Sequence, residues 1–310
     1  MIIVTGDVAE TASRVEYAIA ESFLKELAAS INISHDNILV VPGNHDISWA
    51  TSKRLFRGHP EDSVPSISHM RLRKSFDTFA SRLGVITPSP NGKPEIVVKP
   101  ELSTIFLLID STLNETHFSA SHYGVAREQD IADAIRQVDS IDEERNLLRI
   151  AVCHHNPRAQ PLQSDCLRNG DYVMTSLAEA GFSALLHGHI HLADASIVAK
   201  LGQRHLAVCS TGRAFAADEE SPAWAPRYQT LCLDPSGNVD SFLVMRKWED
   251  IGDRGKWVVD GFGSGNELGV IRFRVTPQSF QDERSYLKPL SAPLDCLTHI
   301  GTAGHPLAAR

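Results

Sequence analysis

Residues 37–46 read NILVVPGNHD. Five residues of mostly apolar, β-branched character run into Pro42-Gly43, and the apolar run stops at Asn44, His45 and Asp46. Such a run reads as a buried strand that delivers three polar side chains at its tip. The preceding segment, 14–30 (RVEYAIAESFLKELAAS), places Val15, Ile19, Phe23, Leu24 and Leu27 at helical spacing. Before it, residues 2–4 are apolar and lead into Thr5-Gly6-Asp7. Strand, helix, strand predicts a βαβ unit with a parallel pair, and so an α/β fold.

Further along, the same grammar repeats. TIFLLID (104–110) is a strand ending in a carboxylate, and EIVVK within 86–100 is a short edge strand. LLRIAVCHH (147–155) is a strand ending in His154-His155. FSALLHGHIHLAD (182–194) runs from a strand into Gly188-His189-Ile190-His191, and RHLAVCST (204–211) is one more strand. Helices are predicted over 69–83, 125–139 and 171–180. After about residue 213 the pattern changes. Segments 227–233, 239–248, 256–260 and 268–275 alternate apolar and polar with turn signals between them, as antiparallel strands do. Residues 276–310 read as a tail, which leaves 1–275 as the domain.

Composition sets the outer bounds. The chain has 310 residues, with 38 acidic against 30 basic and a formal charge of -8. This balance argues against general affinity for nucleic acid or membrane surfaces. The five cysteines are an odd, scattered set without a C-x-x-C pair, so neither a disulfide framework nor a zinc knuckle is expected. Cys153 and Cys209 sit in apolar runs and read as small core residues. No secretory leader or long apolar span is legible, and a cytoplasmic location is the default expectation.

Four strand ends share one chemistry: Asp7, then Asn44-His45-Asp46, then His154-His155, then His189 and His191. Carboxyl ends of parallel strands face a common crevice. A carboxylate, an amide oxygen and several imidazoles suit a transition ion better than calcium. In an extended His-x-His both rings share a face and can reach neighbouring ions.

These motifs resemble those of the calcineurin-like metallophosphoesterases, in their bacterial cyclic-nucleotide-phosphodiesterase-like branch. The likeness is strong over 1–212. It implies a four-layer fold, a two-sheet β-sandwich flanked by helices, holding two divalent metal ions (Mn, Fe, Zn or Mg). It implies hydrolysis of a small phosphate monoester or diester by a hydroxide bridging the ions. By the same likeness Asp7 bridges both ions, Asn44, His154 and His189 hold the second, and His191 reaches the first. His154 is favoured over His155 because it directly follows the strand, which leaves His155 to line the pocket. His45 approaches the phosphate and leaving group, with Asp46 orienting its imidazole. His122 and Arg213 are candidate substrate contacts.

One family element has no counterpart. An Asp-x-His normally lies a few dozen residues before the Gly-Asp, and here six residues precede Asp7. The expectation is an N-terminally truncated site with one ion well bound and reduced activity. His35, His59, His69, His117 and His122 match the missing ligand by residue type only. A non-catalytic metal-binding module and a nuclease are the alternative classes. Asp110, which matches no metal position, reads as a hydrogen-bonding loop anchor.

Overall fold

The computed structural model describes residues 1–58, 69–118, 123–158, 166–190, 194–201, 204–212, 225–234, 241–251, 254–261 and 269–273. In chain order the elements are β1 (Ile2–Val4), α1 (Arg14–Ser30), β2 (Ile38–Val40), α2 (Trp49–Leu55), α3 (His69–Leu72), α4 (Lys74–Leu83), β3 (Glu95–Lys99) and β4 (Thr104–Leu108). They continue with α5 (Glu128–Ile141), β5 (Leu148–Val152), α6 (Gly170–Glu179), β6 (Ala184–His187), β7 (Asp194–Leu201), β8 (Arg204–Ser210), β9 (Arg227–Cys232), β10 (Ser241–Ile251), β11 (Arg254–Val259) and β12 (Val270–Phe273).

The expected βαβ unit is present: β1 runs parallel to β2, with Ile2 opposite Ile38 and Val4 opposite Val40. A six-stranded sheet has the order β3-β4-β5-β6-β8-β7. Its four inner strands are parallel, while β3 and β7 run antiparallel at its two edges. Strand β7 is absent from the sequence reading, which let the His-rich turn run on to residue 194. The later strands form an antiparallel sheet in which β10 pairs with β9, β11 and β12. Two sheets were expected and three hydrogen-bonded ones are described, because β1 and β2 share no ladder with β9 to β12 among the described residues.

The layers follow from alternation. Every residue of β4 and β5 is buried, and successive side chains enter opposite cores. Ile105, Leu107, Ala151 and Leu185 meet Ile131, Val138, Val173 and Leu177 of α5 and α6. On the other face, Phe106, Leu108, Ile150 and Val152 meet Leu39 of β2 and Val41 just beyond it, together with Leu243 and Met245 of β10. The outer face of β2, Ile38 and Val40, packs on Tyr17, Leu24, Phe76 and Phe79 of α1 and α4. Central sheets are thus flanked by helices on both sides. Residues 276–310 lie outside the described residues.

Helix α1 has the expected bounds but another buried face. Ser13 accepts from the Glu16 amide and the Glu16 carboxylate accepts from the Ser13 amide, so a reciprocal box starts the helix. The buried stripe is Tyr17, Glu21, Leu24 and Ala28, whereas Val15 and Ile19 are exposed at 70% and 59%. The rotation puts the Tyr17 hydroxyl against Asp46. The expected helix over 69–83 is broken at Arg73 into α3 and α4.

The break has a physical reason. Arg73 and Asp110 are both fully buried and form an ion pair. Arg73 also donates to Asp77 Oδ1 (2.9 Å) and to the Pro88 carbonyl (2.8 Å). Asp110 accepts from Thr112 and bonds His69 Nε2 at 3.0 Å. The carboxylate at the tip of β4 therefore anchors the α3–α4 corner, as the sequence suggested. Burial opposes its charge, but His69 and Arg73 hold its carboxyl below the usual range. A depressed carboxyl contributes stability above its ordinary pKa and loses it as pH falls.

Asp110→Ala removes the fully buried partner of the Arg73 guanidinium, leaving it Asp77 and the Pro88 carbonyl, and should destabilise the chain by up to roughly 3–5 kcal/mol. Urea unfolding should show a lower midpoint at unchanged slope. An unchanged midpoint would show that the corner holds without this pair.

Candidate metal centre

Each ligand arrives by a turn that the local sequence permits. After β1 the chain passes Gly6 (φ 98°) and Asp7 (φ 54°), both left-handed. A Cβ on Gly6 would lie 2.4 Å from His154 Nδ1, and one on Gly43 would lie 2.1 Å from Asp7 Oδ1. These two glycines let the loops after β1 and β2 close on the site. After β2, residues Asn44–Asp46 form a single 3-10 turn. His154 stands two residues beyond β5, and His189 (φ 70°) stands two beyond β6.

Four atoms converge. Asp7 Oδ2 lies 3.3 Å from His154 Nε2. Asn44 Oδ1 lies 2.9 Å from the same nitrogen and 3.2 Å from His189 Nδ1. The two histidine nitrogens are 3.2 Å apart. Asp7, His154 and His189 form the one metal-capable group of His, Cys, Asp or Glu among the described residues. Asn44 adds an amide oxygen that faces the same point.

The tautomer decides what this cluster wants. His154 Nδ1 is 2.7 Å from the Thr5 carbonyl, which can only accept, so Nδ1 carries a hydrogen. Neutral His154 then turns a lone pair on Nε2 toward the Asp7 carboxylate and the Asn44 oxygen. Three acceptors facing one another need a cation or a proton between them. The donor set of carboxylate, amide oxygen and two imidazoles fits a divalent transition ion, and the carbonyl behind His154 is the usual outer partner of a metal-ligating histidine. Without an ion, a proton serves. Burial opposes a charge on His154, but Asp7 raises its pKa. Burial likewise opposes a charge on Asp7, but His154 and His45 hold it well below the usual range.

His45 donates its backbone amide to Asp7 Oδ1 at 3.0 Å. Its ring stacks on Trp49, with centroids 5.9 Å apart, and Nδ1 sits 2.9 Å from the Glu10 carbonyl. The expectation that Asp46 orients this imidazole does not fit the geometry. The Asp46 carboxylate is fully buried and accepts from the amides of Gly43 (2.9 Å), Val8 (3.1 Å) and Ala9 (3.1 Å) and from the Tyr17 hydroxyl (2.9 Å). It clamps the loop after β1 to the turn after β2. Burial and the charge of Asp7 push Asp46 up to about 6, against the pull of these donors.

His155 was expected to line a pocket, but it is fully buried. Its Nδ1 meets Ser111 Oγ at 2.9 Å and its Nε2 meets Glu115 Oε1 at 3.2 Å. Burial and the neighbouring His154 and His189 push its pKa well down. Among the alternative histidines, His69 is committed to Asp110, and His117 Nδ1 lies 2.8 Å from Ser52 Oγ. His191, His122, Arg213 and His59 lie outside the described residues. The sequence reading missed Thr5 and Tyr17. Thr5 acts through its carbonyl, which leaves no signal in residue type, while Tyr17 was legible as part of the helix.

The site also corrects the single-crevice premise. Asp7 and Asn44 come from the β1–β2 sheet, and His154 and His189 from the six-stranded sheet. The centre bridges two sheets.

The chain belongs to the calcineurin-like phosphoesterase family, whose pattern matches residues 1–193. No curated protein matches it. Among solved structures, a dimetal phosphatase from Danio rerio is similar at 12% identity and a TM-score of 0.42, over 79% of this chain and 90% of that one.

Because a proton and a cation compete for His154 Nε2, metal affinity should rise with pH. The raised pKa means that the proton persists above the ordinary histidine value and must leave when an ion binds. Calorimetric titration with Mn²⁺, in buffers of different ionisation heat, should show proton release on binding that grows as the pH is lowered. His154→Ala should abolish the release. Binding without proton release would show that Nε2 already stands as a free acceptor.

Proposed function

We propose that this chain is a metal-dependent phosphoric ester hydrolase acting on a small phosphodiester or phosphomonoester. The observation that carries the reading is the hydrogen bond from His154 Nδ1 to Thr5, which leaves Nε2 facing Asp7 and Asn44 as acceptors around one point. Family membership supports the reaction class. A bound divalent ion supplies Lewis acidity toward a phosphoryl oxygen and makes a water molecule a nucleophile near neutral pH.

In this reading Asp7, Asn44, His154 and His189 hold the ion. The His45 amide fixes one Asp7 oxygen, so the other is committed to the ligand cluster. The His45 imidazole, set by the Glu10 carbonyl and Trp49, is the group placed to meet the leaving oxygen. With Nδ1 directed at a carbonyl, Nδ1 carries hydrogen and Nε2 is the nitrogen open to substrate. In the protonated ring Nε2 donates, which gives the departing alkoxide its proton. Asp46 supports this indirectly, by holding the turn that carries Asn44 and His45. His191 is proposed as a ligand of a further ion, with His122 and Arg213 as substrate contacts. The four-atom cluster accounts for one well-held ion.

The test combines metal titration with hydrolysis of bis(p-nitrophenyl) phosphate and p-nitrophenyl phosphate. Activity should vanish with chelator and return with Mn²⁺, Fe²⁺ or Zn²⁺. Asp7→Asn and His154→Ala should lose metal and activity together. His45→Ala should retain the ion and lose roughly 10²–10⁴-fold in kcat, the range for a general acid. Stoichiometric metal binding without turnover of either ester would instead make the chain a metal-binding module. A tight stoichiometry near two would overturn the single-ion assignment.

A further inference from the structure

Behind the turn that carries Asn44 and His45 lies a second feature with a different chemistry. Helices α1, α2, α3 and α4 wall a half-open cavity of about 680 Å³. Five cationic side chains line it: Arg14 from α1, Arg54 from α2, Arg71 from α3, and Lys74 and Arg82 from α4. Glu21 is the single acidic group on its walls, and it is already shared between Arg82 (3.1 Å) and Lys25 (2.7 Å). Among the described residues, no carboxylate lies within ion-pair distance of Arg14, Arg54, Arg71 or Lys74. In a chain of formal charge -8 this is a concentrated positive site.

Each of these cations is itself exposed, but they come from four helices and line one concavity rather than a single helix face. Arg14 and Lys74 are also the first residues of α1 and α4. A cation at a helix start faces the positive end of the helix dipole, and the acidic residues of these first turns, Glu16 and Asp77, are already engaged with Ser13 and Arg73. Hydroxyls of Thr51, Ser75 and Thr78 line the same walls and can donate to phosphoryl oxygens.

We propose that this cavity binds a small anion carrying two or more phosphate groups, separately from the metal centre. Its volume falls in the range of small-ligand sites, and its charge exceeds what one orthophosphate would neutralise. The shared wall is Tyr17. Tyr17 lines the cavity, and its hydroxyl donates to Asp46, which clamps the turn bearing Asn44 and His45. Occupancy of the cavity therefore bears on the geometry of the metal centre through one side chain.

The experiment uses the full chain treated with chelator, so that phosphate cannot bind through a metal. Titration calorimetry with inorganic tripolyphosphate should give one site per chain, much tighter than for orthophosphate and weakened by salt. Arg54→Ala with Arg71→Ala should weaken it at least about tenfold, since two charge-assisted contacts are lost. Both side chains are exposed and without an ion-pair partner among the described residues, so thermal unfolding should be unchanged without ligand. His154→Ala should bind tripolyphosphate as the parent does. Equal affinity in the double variant, or loss in His154→Ala, would overturn the site. So would absence of binding at millimolar tripolyphosphate, or a single-stranded oligonucleotide binding more tightly.

Discussion

The Thr5 carbonyl accepts from His154 Nδ1 at 2.7 Å, and this contact joins the tip of β1 to the end of β5. Those strands belong to different sheets with no ladder between them among the described residues. Thr5 Oγ1 also meets Thr211 Oγ1 at 2.8 Å, which ties the same tip to the end of β8. Beneath them the apolar contacts of Leu39 and Val41 with Val152 and Leu186 press the two sheets together. The apolar core sets how close the sheets come, and the polar contact sets their register at the rim. Only with both in place do Asp7, Asn44, His154 and His189 face one point.

That arrangement makes the centre a product of tension among acceptors. A carboxylate, an amide oxygen and an imidazole lone pair do not sit together at about 3 Å without something positive between them. In the ion-free chain the Asp7–His154 pair shares a proton. Its contribution to stability holds below the ordinary histidine pKa and fades as pH rises through the raised value. It fades again as pH falls through the depressed value of Asp7. A cation removes this dependence by taking the proton's place. The role of Asp46 follows the same logic: a buried carboxylate receiving three amides and a hydroxyl holds two loops rigidly, so the ligands need not be ordered when the ion arrives.

Much of this was legible along the chain. The strand ends at Asp7, Asn44, His154 and His189 could be picked out because apolar runs stop there at residues with ligand chemistry. Cys153 and Cys209 read as core residues and are buried. The anchoring role of Asp110 also followed from its place at a strand tip. Other features were not legible because they depend on tertiary contacts. The buried face of α1 was misjudged because Val15 and Ile19 outrank Tyr17 and Glu21 in hydrophobicity, while burial there depends on partners the helix meets only when folded. The break at Arg73 reflects an ion pair with a residue 37 positions away. The five cations of the helical cavity are dispersed from residue 14 to residue 82, so no charge run announces them.

By itself the amino-acid sequence determined the α/β class, the family, and which residue types stand at the strand ends, because those depend on periodicity and local turn chemistry. Tertiary structure alone decided that the ligands come from two sheets, that Asp46 clamps backbone and leaves the imidazole of His45 to the Glu10 carbonyl, and that His155 points into Ser111 and Glu115. These outcomes rest on hydrogen-bond direction and on which carbonyl faces which ring. Such directions arise from contacts between segments far apart in the chain, from 35 positions for His45 and Glu10 to 149 for His154 and Thr5, and no local pattern encodes them.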